Sequence, residues 1–334
     1  MSPAHPPYIG RRPPRSFGRV VALAVTGISV LAACGTSPEA DAADDKVLVV
    51  ATTTQLADFA RTIGGDAVEV RGLIRANVDA HDYEPSPADL DALARADVIL
   101  ANGVGLEPWL EAAVEAAGPD VSVTDTSKGV HLLDLGGEDH HDEEEDEDHG
   151  HDHEGSVNPH IWLDPTNART MVRTVAEALT EALGESTAAT QVTQRATRYD
   201  AALVRLDADI SSRLESLTSR RLVTDHDAFA YFADRYDLDV VGTVIPSFDT
   251  SAEVSAGDLA DLAATVERTG ARAVFTEQSM PPDAAAALAR RVKIRVVAGS
   301  DGLLGDSLAP AGSPGDTYLE MMRHNADSIA RNLM

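Results

Sequence analysis

The sequence predicts an α/β protein of two lobes, each a mostly four-stranded parallel sheet with flanking helices, joined by one long rigid spine helix. Its 334 residues exceed the length that one hydrophobic core usually serves, which favours two lobes. Short β-branched apolar runs alternate with helical patterns, as in sheets built from crossover helices. A long one-sided apolar stripe separates two such series, which predicts the connecting helix.

The first lobe is assigned to residues 46–165. Val47–Ala51 is a continuous apolar run, typical of a strand buried on both faces. Gly64 and Gly65 end the helical pattern that follows it. Further strands are predicted at 68–74, 97–101 and 121–124, and helices at 56–63, 87–96 and 106–117.

Residues 166–220 are predicted to be linking helices. The first runs from Thr166 to Leu183 and the second from about Thr187 to Ser219. The second helix is predicted from apolar residues at helical spacing, namely Tyr199, Leu203, Leu206, Ile210, Leu214 and Leu217. At ~1.5 Å per residue it would be about 45–50 Å long and would cross a whole domain.

The second lobe is assigned to residues 221–334 and repeats the order of the first without a detectable sequence repeat. Strands are predicted at 222–224, 240–245, 273–276 and 294–298, and helices at 228–236, 255–268, 281–292 and 318–333.

The N-terminus carries a predicted export signal. Four arginines precede Val20–Ala33, an apolar run that is too short to span a bilayer but fits a signal-peptide core. The run ends Leu-Ala-Ala-Cys, which resembles the bacterial lipobox and implies cleavage before Cys34 and lipidation of its thiol. Residues 1–33 are therefore interpreted as a lipoprotein signal peptide and 34–45 as a flexible tether, with a plain secretory signal as the alternative. The protein is expected to be lipid-anchored at the extracytoplasmic face of the cell membrane.

Charge and cysteine content limit the possible partners and metal ligands. The formal net charge of −28 argues against binding to nucleic acid or to anionic membrane surfaces, and a surplus of carboxylates suits a protein that meets cations. Cys34 is the only cysteine, so neither an intrachain disulfide nor a thiolate cluster can form. A metal site must use histidine, carboxylate or backbone oxygen ligands.

Residues 136–156 are predicted to be a disordered loop rich in histidine and acid. Between Glu138 and Glu154 there are eleven acidic residues and no lysine or arginine. Such a segment cannot bury enough apolar surface to offset its conformational entropy. Its five histidines predict an auxiliary metal-binding loop of low affinity, with a solvated charge run as the alternative: His140, His141, His149, His151 and His153.

Three other histidines share a context that predicts a metal site. His160 lies in the segment NPHIWLDP, whose two prolines restrict the backbone. His81 and His226 each follow a predicted strand, and ligands of open α/β sheets collect beyond the carboxyl ends of strands. An acid in the last loop, Asp306 or Asp301, would complete a set of three imidazoles and one carboxylate that suits Zn²⁺. Taken singly, a histidine is more often a structural or surface residue than a metal ligand.

Four segments carry a family resemblance: HDYEPSP at 81–87, NPHIWLDP at 158–165, HDAFAYFADRYDL at 226–238 and GDSLAPAGSPGDTYLEMMRHN at 305–325. Together they resemble the cluster A-I solute-binding proteins, the zinc- and manganese-binding lipoproteins of bacterial ABC importers, over about 46–334. The resemblance implies four metal ligands, which are His81, His160, His226 and Asp306. The last motif departs from the family pattern Ser-Asp-Ser-Leu-Gly, since here it reads Gly-Asp-Ser-Leu-Ala.

The expected function is capture of Zn²⁺ between the lobes and delivery to an ABC permease in the cytoplasmic membrane, by a monomer without enzymatic activity. A histidine at position 226 favours zinc, whereas a glutamate there would favour Mn²⁺. A manganese-specific protein of the same family is one alternative, and a metal-bridged adhesin is another. A zinc-dependent hydrolase with Glu277 as its base is the alternative from another class. The chain contains no HExxH motif, and a buried structural acid is the preferred role for Glu277.

Overall fold

A computed structural model describes residues 46–118, 122–133, 157–252 and 254–334. The predicted signal peptide, the tether with Cys34, and the loop 136–156 with its five histidines lie outside the described residues.

The first sheet has four parallel strands in the order β2-β1-β3-β4. Strand β3 is buried along its whole length, as expected for a strand covered on both faces. Its strands are β1 (Val47–Ala51), β2 (Val68–Gly72), β3 (Val98–Ala101) and β4 (Val123–Asp125), and its helices are α1 (Thr54–Gly64), α2 (Pro87–Arg95) and α3 (Leu110–Ala117).

Two helices follow, α4 (Pro165–Leu183) and α5 (Thr187–Leu214). Helix α5 is the predicted spine, and its buried side chains include Tyr199, Leu203, Leu206, Ile210 and Leu214 of the predicted stripe. The last residue of that stripe, Leu217, lies beyond the helix and is partly buried. It has 28 residues, so it is about 42 Å long and ends before the predicted Ser219. The chain turns there because Ser219 N–H and the Thr218 hydroxyl both donate to the carbonyl of Leu333.

The second sheet repeats the first, with four parallel strands in the order β6-β5-β7-β8. The fold class predicted from the sequence is therefore confirmed. Its strands are β5 (Arg221–Thr224), β6 (Asp239–Thr243), β7 (Ala273–Phe275) and β8 (Arg295–Val297), and its helices are α6 (Ala230–Tyr236), α7 (Ala256–Thr269), α8 (Asp283–Val292) and α9 (Tyr318–Leu333).

The largest hydrophobic core includes residues of both sheets, a smaller cluster packs on each sheet separately, and residues 46–334 belong to a single compact unit. Helix α9 packs against α5 and α1, and the Tyr318 ring meets Phe59 edge-on with centroids 4.9 Å apart. The Tyr318 hydroxyl donates to the carbonyl of Trp162 at 2.7 Å. The last helix thus ties the segment that follows His160 to the helix that follows β1.

Within the described ranges, no helix combines the length and the apolar character needed to cross a bilayer.

Candidate metal centre

His160 is held in a fully buried position by two asparagines. Asn158 Oδ1 accepts from His160 N–H at 3.0 Å and lies 2.7 Å from the ring Nδ1, while Asn102 donates to the carbonyl of Pro159 at 2.9 Å. An amide oxygen can only accept a hydrogen bond, so Nδ1 carries the hydrogen and Nε2 offers its lone pair. A 3₁₀ turn, Ile161–Leu163, then leads into α4.

His226 lies just beyond the carboxyl end of β5 and is also fully buried. Its backbone N–H donates to Asp225 Oδ1 at 3.0 Å. Its ring Nδ1 lies 3.2 Å from Glu277 Oε1 and 3.6 Å from Asp225 Oδ1. The carboxylates of Glu277 and Asp225 therefore lie on the Nδ1 side of the ring, and Nε2 faces the other candidate ligands.

Asp306 follows β8 and is held from both lobes. Its N–H and that of Gly305 donate to Glu277 Oε2 at 3.0 and 2.9 Å, from the second lobe. From α1, the Gln55 amide donates to the carbonyls of Gly305 and Asp306, each at 3.3 Å. The Trp162 indole also donates to the carbonyl of Gly305 at 3.0 Å. These contacts turn the Asp306 carboxylate into the interior.

His81 lies in the connection between β2 and α2. Its N–H donates to Asp79 Oδ1 at 2.9 Å, and Tyr83 anchors the same loop by packing on Trp109 with ring centroids 5.0 Å apart. The His81 side chain is 8% exposed, whereas those of His160, His226 and Asp306 are 0% exposed. Of the four side chains, His81 is therefore the one that meets solvent.

These four side chains converge on one point. Their ligand atoms all lie within 4.8 Å of one another. His160 Nε2 is 3.3 Å from Nε2 of both His81 and His226, and Asp306 Oδ1 is 2.9, 3.5 and 3.8 Å from Nε2 of His160, His226 and His81. In a tetrahedron with bonds of ~2.0–2.1 Å, ligand atoms are separated by roughly 3.3 Å. The cluster therefore has the dimensions of a four-coordinate metal site.

The electrostatics of the cluster also favour a cation. Asp306 Oδ2 is buried and has no hydrogen-bond partner among the residues that the structure describes. Burial lowers the pKa of His160 to about 4, so its ring is neutral near pH 7. Burial acts in the same direction on the pKa of His226, but the carboxylates of Asp306 and Glu277 outweigh it and raise that pKa well above 6.5. Burial would raise the pKa of Asp306, but the facing histidines hold it well below its usual range.

The other candidate acid lies elsewhere. Asp301 has an exposed side chain and an ion pair with Arg331 at 3.2 Å, outside the cluster. Of the two acids that the sequence left open, the structure brings only Asp306 to the histidines.

Sequence reasoning did not identify Asn158, Asp225 or Gln55 as parts of the site. Asn158 and Asp225 could have been noticed, because each lies within two residues of a candidate histidine. Gln55 could not, because it is 251 residues from Asp306 in the chain. Glu277 was considered as a base for hydrolysis, with a buried structural acid as its preferred role, and the structure places it against the backbone of Asp306.

Comparisons with known proteins identify the family of the chain. A family model described as "Zinc-uptake complex component A periplasmic" (ZnuA) matches residues 49–332. The "Zinc-binding protein TroA" of Treponema pallidum is 33% identical over 299 residues, covering 87% of this chain and 90% of that protein. The "Manganese ABC transporter substrate-binding lipoprotein PsaA" of Streptococcus mitis is 26% identical over 314 residues, covering 92% and 95%.

Among solved structures, the periplasmic zinc-binding protein TroA from Treponema pallidum superposes with a TM-score of 0.75 at 30% identity, covering 86% of this chain and 99% of that one. The resemblance to cluster A-I solute-binding proteins is thus confirmed over both lobes. This chain belongs to the ZnuA family of metal-binding proteins of bacterial ABC importers.

Proposed function

We propose that this protein captures Zn²⁺ between its two lobes, with His81, His160, His226 and Asp306 as the ligands, and delivers it to an ABC permease for uptake. The observation that carries the proposal is the convergence of three imidazole nitrogens and one carboxylate oxygen at tetrahedral spacing. Three buried imidazoles this close together disfavour the state in which all three are protonated, because the positive charges repel one another. A divalent cation binds to the unprotonated nitrogens, so it avoids this repulsion.

Zinc is proposed over manganese because of the donor set. Three nitrogens and one oxygen match the tetrahedral preference of Zn²⁺, whereas Mn²⁺ favours more oxygen ligands and a higher coordination number. The relatives include one protein named for zinc and one named for manganese, so the family alone does not decide the metal.

Delivery requires a position at the membrane and a partner there. We propose that the mature protein is a monomer anchored at the extracytoplasmic face by a lipid on Cys34. The tether 34–45 would connect this anchor to the first lobe, 46–165. The linking helices, 166–220, would then lead to the second lobe, 221–334. The PsaA relative is named a substrate-binding lipoprotein of an ABC transporter, which supports both the anchor and the permease partner. The histidines of loop 136–156 are proposed as an auxiliary, low-affinity site.

Capture is favoured over hydrolysis by the same geometry. A catalytic zinc keeps one position open for water, whereas this cluster offers four protein ligands. Glu277, the candidate base, is directed at the backbone of Asp306 and the ring of His226.

The test is zinc titration of the purified protein by chelator competition, with elemental analysis of the bound metal. We expect one tightly bound zinc per chain, lost in His226→Ala and retained in the matched control His131→Ala, which removes an exposed histidine outside the cluster. Equal zinc binding by the His226→Ala variant contradicts the ligand set. A wild-type preference for Mn²⁺ overturns the metal assignment, and zinc-dependent hydrolysis abolished by the same variant supports the rival enzyme.

A further inference from the structure

A row of arginines lies along the N-terminal edge of the second sheet, at the opposite end of its strands from the metal ligands. Arg221 is the first residue of β5, and Arg295 is the first residue of β8. Arg272 directly precedes β7, and the strand order places it between the other two. Its carbonyl accepts from Arg295 N–H at 3.2 Å. Adjacent strands are about 4.8 Å apart, so these three exposed residues are close neighbours.

The ends of two helices add basic residues to the same edge. Helices α7 and α8 end where the chain turns back into β7 and β8, and exposed basic residues lie at both ends. Together with the row they form the basic edge, which consists of Arg221, Arg268, Arg272, Arg291, Lys293 and Arg295. Within the described part of the chain, none of these side chains forms an ion pair with an aspartate or a glutamate.

The local charge of this edge is opposite to that of the whole chain. Residues 268–295 contain six basic and two acidic residues, and one of those acids is the buried Glu277, whereas the formal charge of the chain is −28. Asp239, which begins β6 beside Arg221, is the acid in the row itself. Charges at a protein surface are screened beyond about 10 Å at moderate salt. A partner at this edge therefore meets the local positive charge.

The fold itself does not require arginines at this place. The first sheet has the same strand order, and each of its strands begins with a valine: Val47, Val68, Val98 and Val123. The residue before β3 is Asp97, whose carboxylate accepts from Leu48 N–H at 2.7 Å. Basic residues at helix C-termini complement the helix dipole, which accounts for Arg268 and Arg291 but not for the row.

The basic edge lies at the far end of the spine helix from the point where the proposed tether joins the first lobe. Lys46 leads into β1, which pairs with β2, and β2 follows the end of α1 that Arg195 of α5 contacts. Near the other end of α5, Arg220 donates to the carbonyl of Leu214 at 3.4 Å. These two points of α5 are about 30 Å apart. Twelve extended residues, the length of the proposed tether 34–45, can reach about 40 Å.

We propose, resting on the proposed lipid anchor, that the basic edge of the second lobe contacts the anionic phospholipid headgroups of the membrane that holds the anchor. Guanidinium groups donate paired hydrogen bonds to phosphate oxygens, and basic residues near an anionic lipid surface each add to binding. The anchor and the basic edge then hold the two ends of the spine at the membrane. The metal ligands are not part of this contact, because His226 is five residues from Arg221, about 16 Å along an extended chain.

The experiment measures binding of residues 35–334, which contain the whole compact unit but carry no lipid, to vesicles. Vesicles of equal parts phosphatidylglycerol and phosphatidylcholine are compared with pure phosphatidylcholine vesicles by sedimentation at several salt concentrations. The edge variant carries three neutral substitutions, Arg221→Gln, Arg268→Gln and Arg291→Gln. Among the described residues, none of these three side chains donates a hydrogen bond to another helix or strand, so the fold should be kept.

The matched control makes the same change in net charge elsewhere. It replaces three exposed arginines of α4 and α5 that form no ion pair in the described ranges, and its substitutions are Arg173→Gln, Arg198→Gln and Arg205→Gln. All three proteins should bind zinc alike, which verifies that the variants fold.

We expect wild type to bind the anionic vesicles and not the neutral ones, and to bind more weakly as salt rises. Each basic residue near such a surface is worth a factor of about five, so the edge variant should bind about 100-fold more weakly. The control should stay within about twofold of wild type. An equal loss in both variants, or binding that salt does not weaken, overturns the proposal.

A different partner gives a different result. Wild type that binds soluble inorganic polyphosphate but not the anionic vesicles overturns the membrane contact in favour of an anionic polymer. Mass spectrometry of Cys34 in protein from the membrane fraction tests the anchor separately. A thiol without lipid contradicts the anchor but leaves the vesicle result in place, so the two failures are distinguishable.

Discussion

His160 and His226 are both fully buried, yet their surroundings give them different proton affinities. The neighbour of His160 Nδ1 is the neutral amide of Asn158, and burial dominates, so that the pKa is lowered to about 4. At His226 burial is outweighed by Asp306 and Glu277, and the pKa is raised. In the metal-free protein near pH 7, the ring of His160 is therefore neutral and the ring of His226 is protonated.

The difference predicts how zinc affinity depends on pH. The metal-free protein holds a proton on His226 below that raised pKa, and the zinc-loaded protein cannot hold it on Nε2. Loading therefore releases about one proton, and affinity should rise about tenfold per pH unit between about pH 6 and 8, continuing above the usual histidine pKa of about 6.5. Chelator competition at several pH values, corrected for protonation of the chelator, measures the slope. An affinity that levels off above about pH 7 contradicts the raised pKa of His226.

At the scale of elements, the spine helix α5 supports the helix that reaches the site. Arg195 of α5 donates from Nε and Nη2 to the carbonyls of Ile63 and Gly64, at 2.6 and 2.5 Å, at the C-terminus of α1. A guanidinium there satisfies carbonyls that the helix leaves unpaired and complements its dipole. The N-terminal end of α1 carries Gln55, which holds the Asp306 segment.

Removing this contact should destabilise the protein without removing the metal site. Arg195→Met keeps most of the apolar stem but loses two charge-assisted hydrogen bonds, so the free energy of unfolding should fall by about 1–2 kcal/mol. Urea denaturation of the metal-free protein measures it. The control Arg198→Met changes an exposed arginine on the same helix and should stay within about 0.5 kcal/mol of wild type. An equal loss in both variants would show that the capping contact contributes nothing.

Elements with a regular apolar period could be predicted from the sequence, and the way the chain turns between them could not. The stripe from Tyr199 to Leu214 identified the spine, because its residues are local in sequence. The end of that helix depends on Leu333, which accepts from Thr218 and Ser219 across a long stretch of chain. His81 and His226 were recognisable from their place after predicted strands, His160 from the prolines of its segment, and all three from family motifs. The choice of Asp306 over Asp301 depends on distant Gln55 and Glu277, which local patterns do not show.

For the whole molecule, the two sheets form one unit because both lobes contribute residues to the metal site and to the largest hydrophobic core. The Gly305–Asp306 segment follows a strand of the second sheet, but its carbonyls accept hydrogen bonds from Gln55 in the first lobe and from Trp162 in the segment before α4. Tyr318 joins the same regions through the core. A change that unfolds one lobe therefore also removes the supports of the metal ligands of the other.

This sharing predicts that residues 46–334 unfold in a single transition that zinc shifts as a whole. Zinc at about 100 times its Kd should stabilise the protein by about 2.7 kcal/mol, and the midpoint should rise by roughly 5 °C. Differential scanning calorimetry with and without zinc measures this shift, and His226→Ala should show the single transition without the shift. Two separated transitions, of which zinc moves only one, would mean that the lobes unfold independently. The hydrogen bonds from Gln55 and Trp162 would then hold the Asp306 segment too weakly to couple the lobes.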